Sequence, residues 1–370
     1  MDEDDFVHQT MLTCIGNKRK LVDNIREIMD EVCGILGKTR LNIVDGFAGS
    51  TVVARKLSYI ADTIYVNDME LYSYLMAKCF LVKPTEDQEN RIINHIDKMN
   101  KLASTGPFVE GIIAKLYAPK DTANIRVGER CFYTRENALI IDTLRAYIDS
   151  EVEEDIHIYC LVPLLNKASI HTNTAGVFKG FYKDGSVGCF GGAGKNALSR
   201  IMRTIQLDIP IWNRDASYNT VCFNMDINEL VSSHLPVGID IMYLDPPYNE
   251  HPYGSNYFML NIIAENKEPV EISNVSGIPS GWKKSAYNKK TRAVDSMTKL
   301  ISDGLIKSKY LLISYNNEGI ISADAWKEIF EQYTVKKYQI DYDTYKGSRN
   351  LKKRSNKVIE IMYLVSYKNT

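Results

Sequence analysis

Apolar residues recur along much of the chain with two different spacings, one typical of helices and one typical of strands. The apolar positions of residues 17–36 lie at helical spacing and predict an amphipathic helix. The elements predicted next are a strand over 41–44, a helix over 50–59, a strand over 64–66 and a helix over 71–81. This strand–helix–strand–helix order is typical of an α/β fold with a largely parallel sheet.

The pattern changes after Pro84, which ends the first α/β unit. The next segments read as polar helices without a convincing strand over 85–150, an apolar helix over 156–170, and a glycine- and aromatic-rich hairpin or loop system over 172–194. Strand patterns then resume over 220–223, 238–244, 310–314, 335–341 and 358–366. The sequence therefore predicts one α/β domain, built from residues 1–82 and 216–370, with an inserted region over 83–215.

The composition is that of a globular protein, with 45% hydrophobic and 25% charged residues in 370. No stretch approaches the ~18 apolar residues that a membrane span needs, and the acidic start of the chain is unlike a secretory signal. The seven cysteines include no C-x-x-C pair and the six histidines are dispersed, so we expect no disulfide framework, no metal site and a reducing cytoplasm. The formal net charge of -1 argues against a nucleic-acid partner unless basic residues are concentrated locally.

The tetrapeptide Asp245-Pro246-Pro247-Tyr248 directly follows an apolar strand. Ligands of open α/β sheets bind beyond the carboxyl ends of the strands, where this tetrapeptide is expected to lie. The Asp245 carboxylate and the Pro246 carbonyl are two acceptors, which suit the two N–H donors of an exocyclic amino group. Tyr248 offers an aromatic face for a planar base. We therefore predict that these four residues are catalytic, in preference to a proline turn with an aspartate cap.

A second candidate site follows the strand over 41–44, where Asp45 opens a turn that contains Phe47, Gly49 and Ser50. The turn is not a G-x-G-x-x-G motif, so a diphosphate ligand is not indicated. Phe47 suits packing against an adenosine, and Asp68, at the end of the next strand, is placed to accept from ribose hydroxyls. Together these residues predict a site for an adenosine-containing ligand.

With these motifs, the sequence resembles Dam-type DNA adenine-N6 methyltransferases. Residues 245–248 resemble the catalytic motif of that family, and residues 45–50 resemble its S-adenosylmethionine loop. The segment Gly16-Asn17-Lys18, which by itself reads as the start of a capped surface helix, resembles the Gly-x-Lys element of the family. The run from Asp245 to Ile263 also resembles the modification enzymes of restriction systems, and the resemblance spans most of the chain.

The resemblance implies a Rossmann-like, S-adenosylmethionine-dependent methyltransferase fold with a mixed, mostly parallel sheet and an inserted target-recognition domain of helices and loops. It implies direct, in-line methyl transfer to N6 of an adenine that is flipped out of duplex DNA, without a metal. The cofactor-binding residues that it implies are Cys14, Gly16, Asn17, Lys18, Asp45, Phe47, Gly49, Ser50, Asp68 and Asp226.

Two residues depart from the pattern of the family. Thr51 stands where a further glycine is common, so we expect a less open turn, and Cys14 stands where an aromatic residue is usual. The resemblance further implies a bacterial or phage enzyme of the cytoplasm that is monomeric, makes no membrane contact and acts on double-stranded DNA. A cognate restriction endonuclease would be its functional partner.

Basic residues are concentrated in segments that contain no acid, and this changes the meaning of the near-zero net charge. Aromatic residues are interleaved in the window at 283–292 and in the glycine-rich segment near 180. Alone, each window is as consistent with a solvated face as with a DNA contact, but a base-flipping motif favours phosphate contact. The predicted DNA-binding residues are Lys179, Tyr182, Lys283, Lys284, Lys289, Lys290, Arg292, Lys346, Arg349, Lys352, Lys353 and Arg354.

Three alternative functions remain open from the sequence. An RNA methyltransferase that acts on an exocyclic nitrogen carries similar tetrapeptides, but it does not need so large an insertion. A non-catalytic nucleotide-binding module has no reason to keep both Asp245 and Tyr248. Cytosine-N4 methyltransferases favour serine at the first motif position, so Asp245 favours adenine.

Overall fold

The computed structural model describes residues 3–9, 18–192, 194–214, 217–343 and 357–368. The described strands are β1 (Leu41–Asp45), β2 (Ala61–Asn67), β3 (Lys183–Asp184), β4 (Val187–Gly188), β5 (Asn219–Phe223), β6 (Ile239–Leu244), β7 (Ser308–Asn316), β8 (Tyr333–Asp343) and β9 (Lys357–Tyr367). Seven of them form one sheet in the order β5-β2-β1-β6-β7-β9-β8, while β3 and β4 form a separate antiparallel hairpin.

The sheet is parallel from β5 to β7 and ends in an antiparallel pair. Strands β5, β2, β1, β6 and β7 run in one direction, β9 runs against β7, and β8 runs against β9. All residues of β6 are buried, as expected for an inner strand with helices on both faces. From β1 the chain builds β2 and β5 on one side and later β6 and β7 on the other. The strand order therefore reverses between β1 and β6, which is where open α/β sheets bind ligands.

Helices cover both faces of this sheet. One apolar cluster packs α1, α2 and α3 against β1 and β2, and another packs α13 and α14 against β6 and β7. A third cluster joins the helices of the inserted region to α4 and α12. The described helices are α1 (Glu3–His8), α2 (Val22–Leu36), α3 (Val52–Leu57), α4 (Leu71–Leu81), α5 (Glu86–Thr105), α6 (Ile112–Leu116), α7 (Arg135–Glu151), α8 (His157–Ile170), α9 (Leu198–Met202), α10 (Ile227–Glu229), α11 (Tyr253–Asn256), α12 (Phe258–Glu265), α13 (Lys290–Lys307) and α14 (Ala323–Phe330).

Most predicted elements are confirmed, and the differences lie at the ends of helices and strands. Helix α4 has the predicted bounds, and each predicted strand is present, several of them longer than predicted. The start predicted for the first helix was wrong, because α2 begins at Val22 after a turn in which the Leu21 N–H donates to the Lys18 carbonyl at 2.7 Å. The helix predicted over 50–59 is shorter, since α3 ends at Leu57 and a 3₁₀ turn follows.

The inserted region is helical, as its polar periodicity predicts. Its described residues contain no strand except the two short strands of the β3–β4 hairpin. No helix among the described residues combines the length and apolarity that a membrane span needs. Each of the six described cysteines is a free thiol.

Candidate active site

The turns after β1 and β2 and the segment after β6 meet at the carboxyl edge of the sheet. The N–H of Gly46 donates to the Tyr243 carbonyl at 3.0 Å, which ties the β1 turn to β6. The N–H of Ala48 donates to the Asn67 carbonyl at 2.9 Å, which ties the same turn to β2. These hydrogen bonds hold the predicted cofactor loop beside the predicted catalytic tetrapeptide.

The cofactor loop bends through two left-handed residues. Gly49 has a φ of 51° and Thr51 a φ of 66°, so a threonine occupies a conformation that favours glycine. Such a conformation costs a non-glycine residue about 1–2 kcal/mol. The loop compensates with hydrogen bonds, since the Thr51 N–H donates to the Ala48 carbonyl at 2.7 Å. The departure at Thr51 is thus accommodated in the backbone of the turn.

Asp68 connects this loop to the end of β2. One carboxylate oxygen accepts from the Gly49 N–H at 2.7 Å, and the other accepts from the Glu70 N–H at 2.8 Å. The hydroxyl of Ser73 donates to the Gly49 carbonyl at 2.7 Å from the other side. Burial raises the pKa of Asp68 above its ordinary value, although these N–H donors oppose the shift. Asp68 therefore shapes the loop as well as lining the cavity.

Lys18 lies between two carboxylates at the centre of the site. Its Nζ is 2.8 Å from Oδ1 of Asp245 and 3.1 Å from Oε1 of Glu360, which lies on β9. The side chains of Lys18 and Asp245 are 5% and 16% exposed, and that of Glu360 is fully buried. The hydroxyl of Ser314 on β7 makes a further, short hydrogen bond to the same oxygen of Glu360. Lys18 is thus held in a buried ion pair, instead of capping or leading a surface helix.

The buried contacts among Lys18, Asp245 and Glu360 shift the pKa values of Lys18 and Asp245. Burial works against the charged form of Lys18, yet Asp245 and Glu360 hold its pKa well above the ordinary lysine value. Burial raises the pKa of Asp245, the Lys18 ammonium lowers it, and the negative charge of Glu360 raises it again. The strength of Asp245 as a hydrogen-bond acceptor therefore depends on how Asp245 and Glu360 share the positive charge of Lys18.

Tyr248, the last residue of the tetrapeptide, is fixed by three contacts. The Lys18 Nζ lies 5.6 Å from the centre of its ring, and the ring meets Tyr315 edge-on at 6.1 Å. The N–H of Ile320 donates to the Tyr248 carbonyl at 3.0 Å. Pro246 is buried, while Pro247 lines the cavity.

The cavity beside Asp245 has a volume of about 820 Å³, counted to its open mouth. One wall is apolar and aromatic, with Phe47 packed edge-on against Tyr287 at 5.4 Å. The other wall is polar and carries the carboxylates of Asp68 and Glu70. The lining residues are Lys18, Phe47, Ala48, Gly49, Ser50, Val52, Val53, Asp68, Met69, Glu70, Tyr72, Tyr243, Asp245, Pro247, Tyr253, Lys283, Ser285 and Asn288.

The chain matches a known protein family over most of its length. The family model for D12 class N6 adenine-specific DNA methyltransferases matches residues 15–329 of the 370. The chain belongs to this family. It is 29% identical to the type II methyltransferase M.CviAII of Paramecium bursaria Chlorella virus 1 over 86% of this chain and 87% of that protein. It is also 27% identical to the type II methyltransferase M.NlaIII of Neisseria lactamica, over 95% and 98% of the two chains.

A longer relative, the modification methylase StsI of Streptococcus sanguinis, is 28% identical over 96% of this chain but only 52% of its own length. The family model and the sheet together confirm the fold class and the N6 adenine-specific DNA methyltransferase family that the sequence predicts.

Asp45 of this methyltransferase is the last residue of β1 and does not line the cavity. Its side chain is fully buried. Burial, with a smaller contribution from the charge of Asp245, raises the pKa of Asp45 to about 8. Its predicted contact with the cofactor therefore stays a prediction, while its burial has a direct consequence for stability.

We expect Asp45→Asn to be more stable than the wild type at pH 8, with a much smaller difference at pH 5. The unfolded chain ionises this carboxyl near its ordinary pKa of about 4, whereas the folded chain keeps the proton until about pH 8. The wild type therefore loses stability between these values as the pH rises, and asparagine removes that loss. Thermal unfolding should show a melting temperature raised by at least ~2 °C at pH 8 and little change at pH 5. An equal difference at both values would contradict this explanation.

Two buried carboxyl groups of the site escaped the sequence prediction. Glu70 lines the cavity and accepts from the Asn261 side chain at 2.9 Å, and burial followed by the charge of Asp68 raises its pKa to about 7. Glu360 lies next to Lys18 although it is distant in sequence. A signal for Glu360 existed, because it is the one acid in the run from Val358 to Val365, which is otherwise mostly apolar.

The predicted DNA-binding residues at 283–292 divide into two groups. The ammonium of Lys283 turns into the site and donates to the Met69 carbonyl at 2.8 Å. Lys284, Lys289, Lys290 and Arg292 are exposed beside the start of α13, where positive charge gains nothing from the helix dipole. Lys284 stacks on the Trp282 ring at 5.2 Å, and Lys290 lies 3.7 Å from Glu250.

Of the remaining predicted residues, three do not line the cavity, and the others lie outside the described part of the chain. Lys179 is exposed and Tyr182 is half-buried just before β3. Asp226 caps α10 by accepting from the N–H groups of Asn228 and Glu229, and it does not line the cavity. The residues outside the described part of the chain are Cys14, Gly16, Asn17, Lys346, Arg349, Lys352, Lys353 and Arg354.

Proposed function

We propose that this methyltransferase transfers the methyl group of S-adenosylmethionine to N6 of an adenine that is flipped out of a specific sequence in duplex DNA. The observation that carries the proposal is the Asp245 carboxylate, which borders an open cavity beside the switch point of the sheet. The relatives are named type II methyltransferases and a modification methylase, which supports a role in a restriction–modification system with a cognate endonuclease as functional partner.

The cavity residues fit an adenosine-containing methyl donor. Phe47 provides an apolar face for the nucleoside, while Asp68 and Glu70 are acceptors for its hydroxyl groups. The backbone of Gly49 and Ser50 comes close to the ligand because the loop bends sharply there. When bound, S-adenosylmethionine supplies an electrophilic methyl group: the bond from N6 to the methyl carbon forms as the bond from sulfur to that carbon breaks, S-adenosylhomocysteine leaves, and N6 releases one proton to water. The residues of the chain hold the donor and the base in line, which removes much of the entropic barrier.

Asp245 and Pro246 act on the nucleophile. The N6 lone pair of adenine is delocalised into the ring, so the amino group is weakly nucleophilic. The carboxylate of Asp245 accepts one N–H and the carbonyl of Pro246 accepts the other. Both acceptors strengthen their hydrogen bonds as the nitrogen becomes tetrahedral and positive, which stabilises the transition state more than the ground state.

Tyr248 provides the surface on which the flipped base rests. A target adenine inside a duplex cannot reach Asp245, so it leaves the stack before transfer. Stacking on an aromatic ring contributes about 1–3 kcal/mol per base and offsets part of the unpairing cost. The contacts with Tyr315 and Lys18 orient the ring beside the carboxylate.

A methyl-transfer assay tests the proposal directly. Purified protein is incubated with labelled S-adenosylmethionine and duplex DNA, and the methylated nucleoside is identified by chromatography and mass spectrometry. We expect label as N6-methyladenine in duplex DNA. Label in N4-methylcytosine or only in structured RNA, or cofactor binding without any transfer, would each contradict the proposal.

We propose that DNA approaches over the exposed lysines beside α13 and over the inserted region at 83–215, which carries Lys179 and Tyr182. Three exposed lysines lie there, Lys284, Lys289 and Lys290. One of them, Lys290, is paired with an acid, Glu250, at 3.7 Å. Phosphate contacts of this kind position the protein on DNA, whereas base readout requires other side chains.

We expect the triple variant K284Q/K289Q/K290Q to bind duplex DNA more weakly and with a shallower salt dependence. Each lost phosphate contact reduces the slope of log K against log salt by about 0.9. Fluorescence anisotropy at several salt concentrations measures the slope. The matched control is K299Q/K327Q/K336Q, which removes the same charge from lysines paired with Asp303, Asp324 and Glu31. Equal slopes for the two variants would place the DNA elsewhere.

A further inference from the structure

Glu360 is an unusual residue for its position in the sheet. It lies within β9, opposite Asn316 of β7, with Ile359 and Ile361 on either side. Its side chain is fully buried, so its charge is retained only with compensating partners. These partners are the Lys18 ammonium at 3.1 Å and the Ser314 hydroxyl, and both contact Oε1. The other oxygen, Oε2, has no hydrogen-bond partner among the described residues.

The position of Glu360 matters because Lys18 also contacts the catalytic carboxylate. An ammonium paired with Asp245 alone would withdraw electron density from the carboxylate and weaken it as an acceptor for the N6 amino group. A second carboxylate on the same ammonium shares that positive charge. Lys18 then orients Asp245 through a contact of 2.8 Å without neutralising it fully.

We propose that Glu360 is a positioning residue for methyl transfer, which draws the Lys18 ammonium partly away from Asp245 and so keeps that carboxylate a strong acceptor. The proposal rests on the chemistry proposed for Asp245 above. Glu360 does not line the cavity proposed for the base and the methyl donor, and it is linked to Asp245 through Lys18.

The sign of the pH effect follows from the charges around Asp245. The negative charge of Glu360 raises the pKa of Asp245, and the Lys18 ammonium lowers it. Removing the Glu360 charge therefore lowers the pKa of Asp245, so the carboxylate stays ionised to lower pH but is a weaker acceptor. The charged and titratable groups on the surrounding elements are Lys18, Glu360 on β9, Tyr243 on β6, Asp45 on β1, Asp68 after β2, and Tyr248 in the same segment.

The test compares pH–rate profiles of wild type and Glu360→Gln, whose side chain has nearly the same shape. We expect the acid limb of kcat to move to lower pH by on the order of one unit. We also expect the plateau kcat to fall by roughly tenfold, because a weaker acceptor gives less transition-state stabilisation. The Kd for S-adenosylmethionine, measured by calorimetry, should stay within about twofold. A general loss of structure would lower kcat without moving the limb downward.

Two further variants make the result decisive. Glu31→Gln removes the same charge from a surface pair with Lys336, and its profile should match the wild type. Ser314→Ala removes the hydroxyl that donates to Glu360. Glu360 then interacts more strongly with the Lys18 ammonium, which lowers the pKa of Asp245 less. The acid limb of kcat should therefore move to higher pH. Ser314→Ala decides alone if Glu360→Gln does not fold.

An unmoved or upward-shifted limb in Glu360→Gln, or an unmoved limb in Ser314→Ala, would overturn the proposal. A wild type that methylates no adenine would contradict the proposed function instead. An active wild type with unmoved profiles in the variants contradicts only the role of Glu360.

Discussion

Asp245→Asn is expected to lower kcat for adenine methylation by about 10²–10³-fold, the effect of removing one preorganised polar group from a transition state. Asparagine has the same size as aspartate, but its amide carries no charge and one of its two polar atoms is a donor. The developing positive charge on N6 then loses its closest negative partner. Single-turnover rates with duplex DNA measure the loss without interference from product release.

A matched control lies on the strand that precedes Asp245. Asp240 is a buried carboxylate within β6, but its partner is Lys38, at 2.8 Å, on the far edge of the sheet from the cavity. We expect Asp240→Asn to reduce stability and to leave the single-turnover rate within about threefold of the wild type. If both variants lost activity equally, or if Asp245→Asn kept more than a tenth of the wild-type rate, Asp245 would not have the catalytic role assigned to it.

Lys18→Met is expected to destabilise the methyltransferase by about 3–5 kcal/mol, the usual cost of breaking a buried ion pair by removing one partner. The change leaves the carboxylates of Asp245 and Glu360 buried without the ammonium that they share. Without the ammonium, the negative charge of Glu360 raises the pKa of Asp245 further, and a protonated Asp245 is not the acceptor that methyl transfer needs. Urea denaturation measures the stability, and the same preparations give the activity.

The companion variants separate charge from packing. Lys38→Met removes a lysine from the buried Asp240, but Lys38 is 39% exposed, so we expect a cost of only about 1 kcal/mol. In the double variant Lys18→Met/Glu360→Gln one of the two stranded charges is gone, and part of the lost stability should return. If that double variant were less stable than Lys18→Met alone, repulsion between the carboxylates would not explain the loss.

The parts of the site that sequence reasoning found are those whose neighbours in space are also neighbours in the chain. Asp245 to Tyr248 directly follow β6, whose residues are all buried, and residues 46–50 directly follow β1. The carboxyl ends of parallel strands share one edge of the sheet, so both motifs could be predicted to meet there. Helix α4 has the predicted bounds, and the residues that flank it, Glu70 and Val82, both have extended backbone conformations.

The roles of Lys18, Lys283 and Glu360 could not be read in the same way. Lys283 belongs to a basic window, yet its ammonium is bound to the Met69 carbonyl at the cavity. Lys18 resembles a surface lysine at the start of a helix, yet it is buried. Both lysines contact partners that are more than a hundred residues away in the chain, and no local pattern of hydrophobicity encodes such contacts.

The sequence by itself determined the α/β class, the order of the strands along the chain, the position of the Asp-Pro-Pro-Tyr tetrapeptide after β6 and the family, because these depend on local periodicity and on short contiguous motifs. Only the tertiary structure decided which charges are buried together. The reversal of strand order between β1 and β6 and the antiparallel insertion of β9 beside β7 bring Lys18, Asp245 and Glu360 within ion-pair distance. Ionisation depends on burial and on the distance between charges, and both are properties of the folded chain.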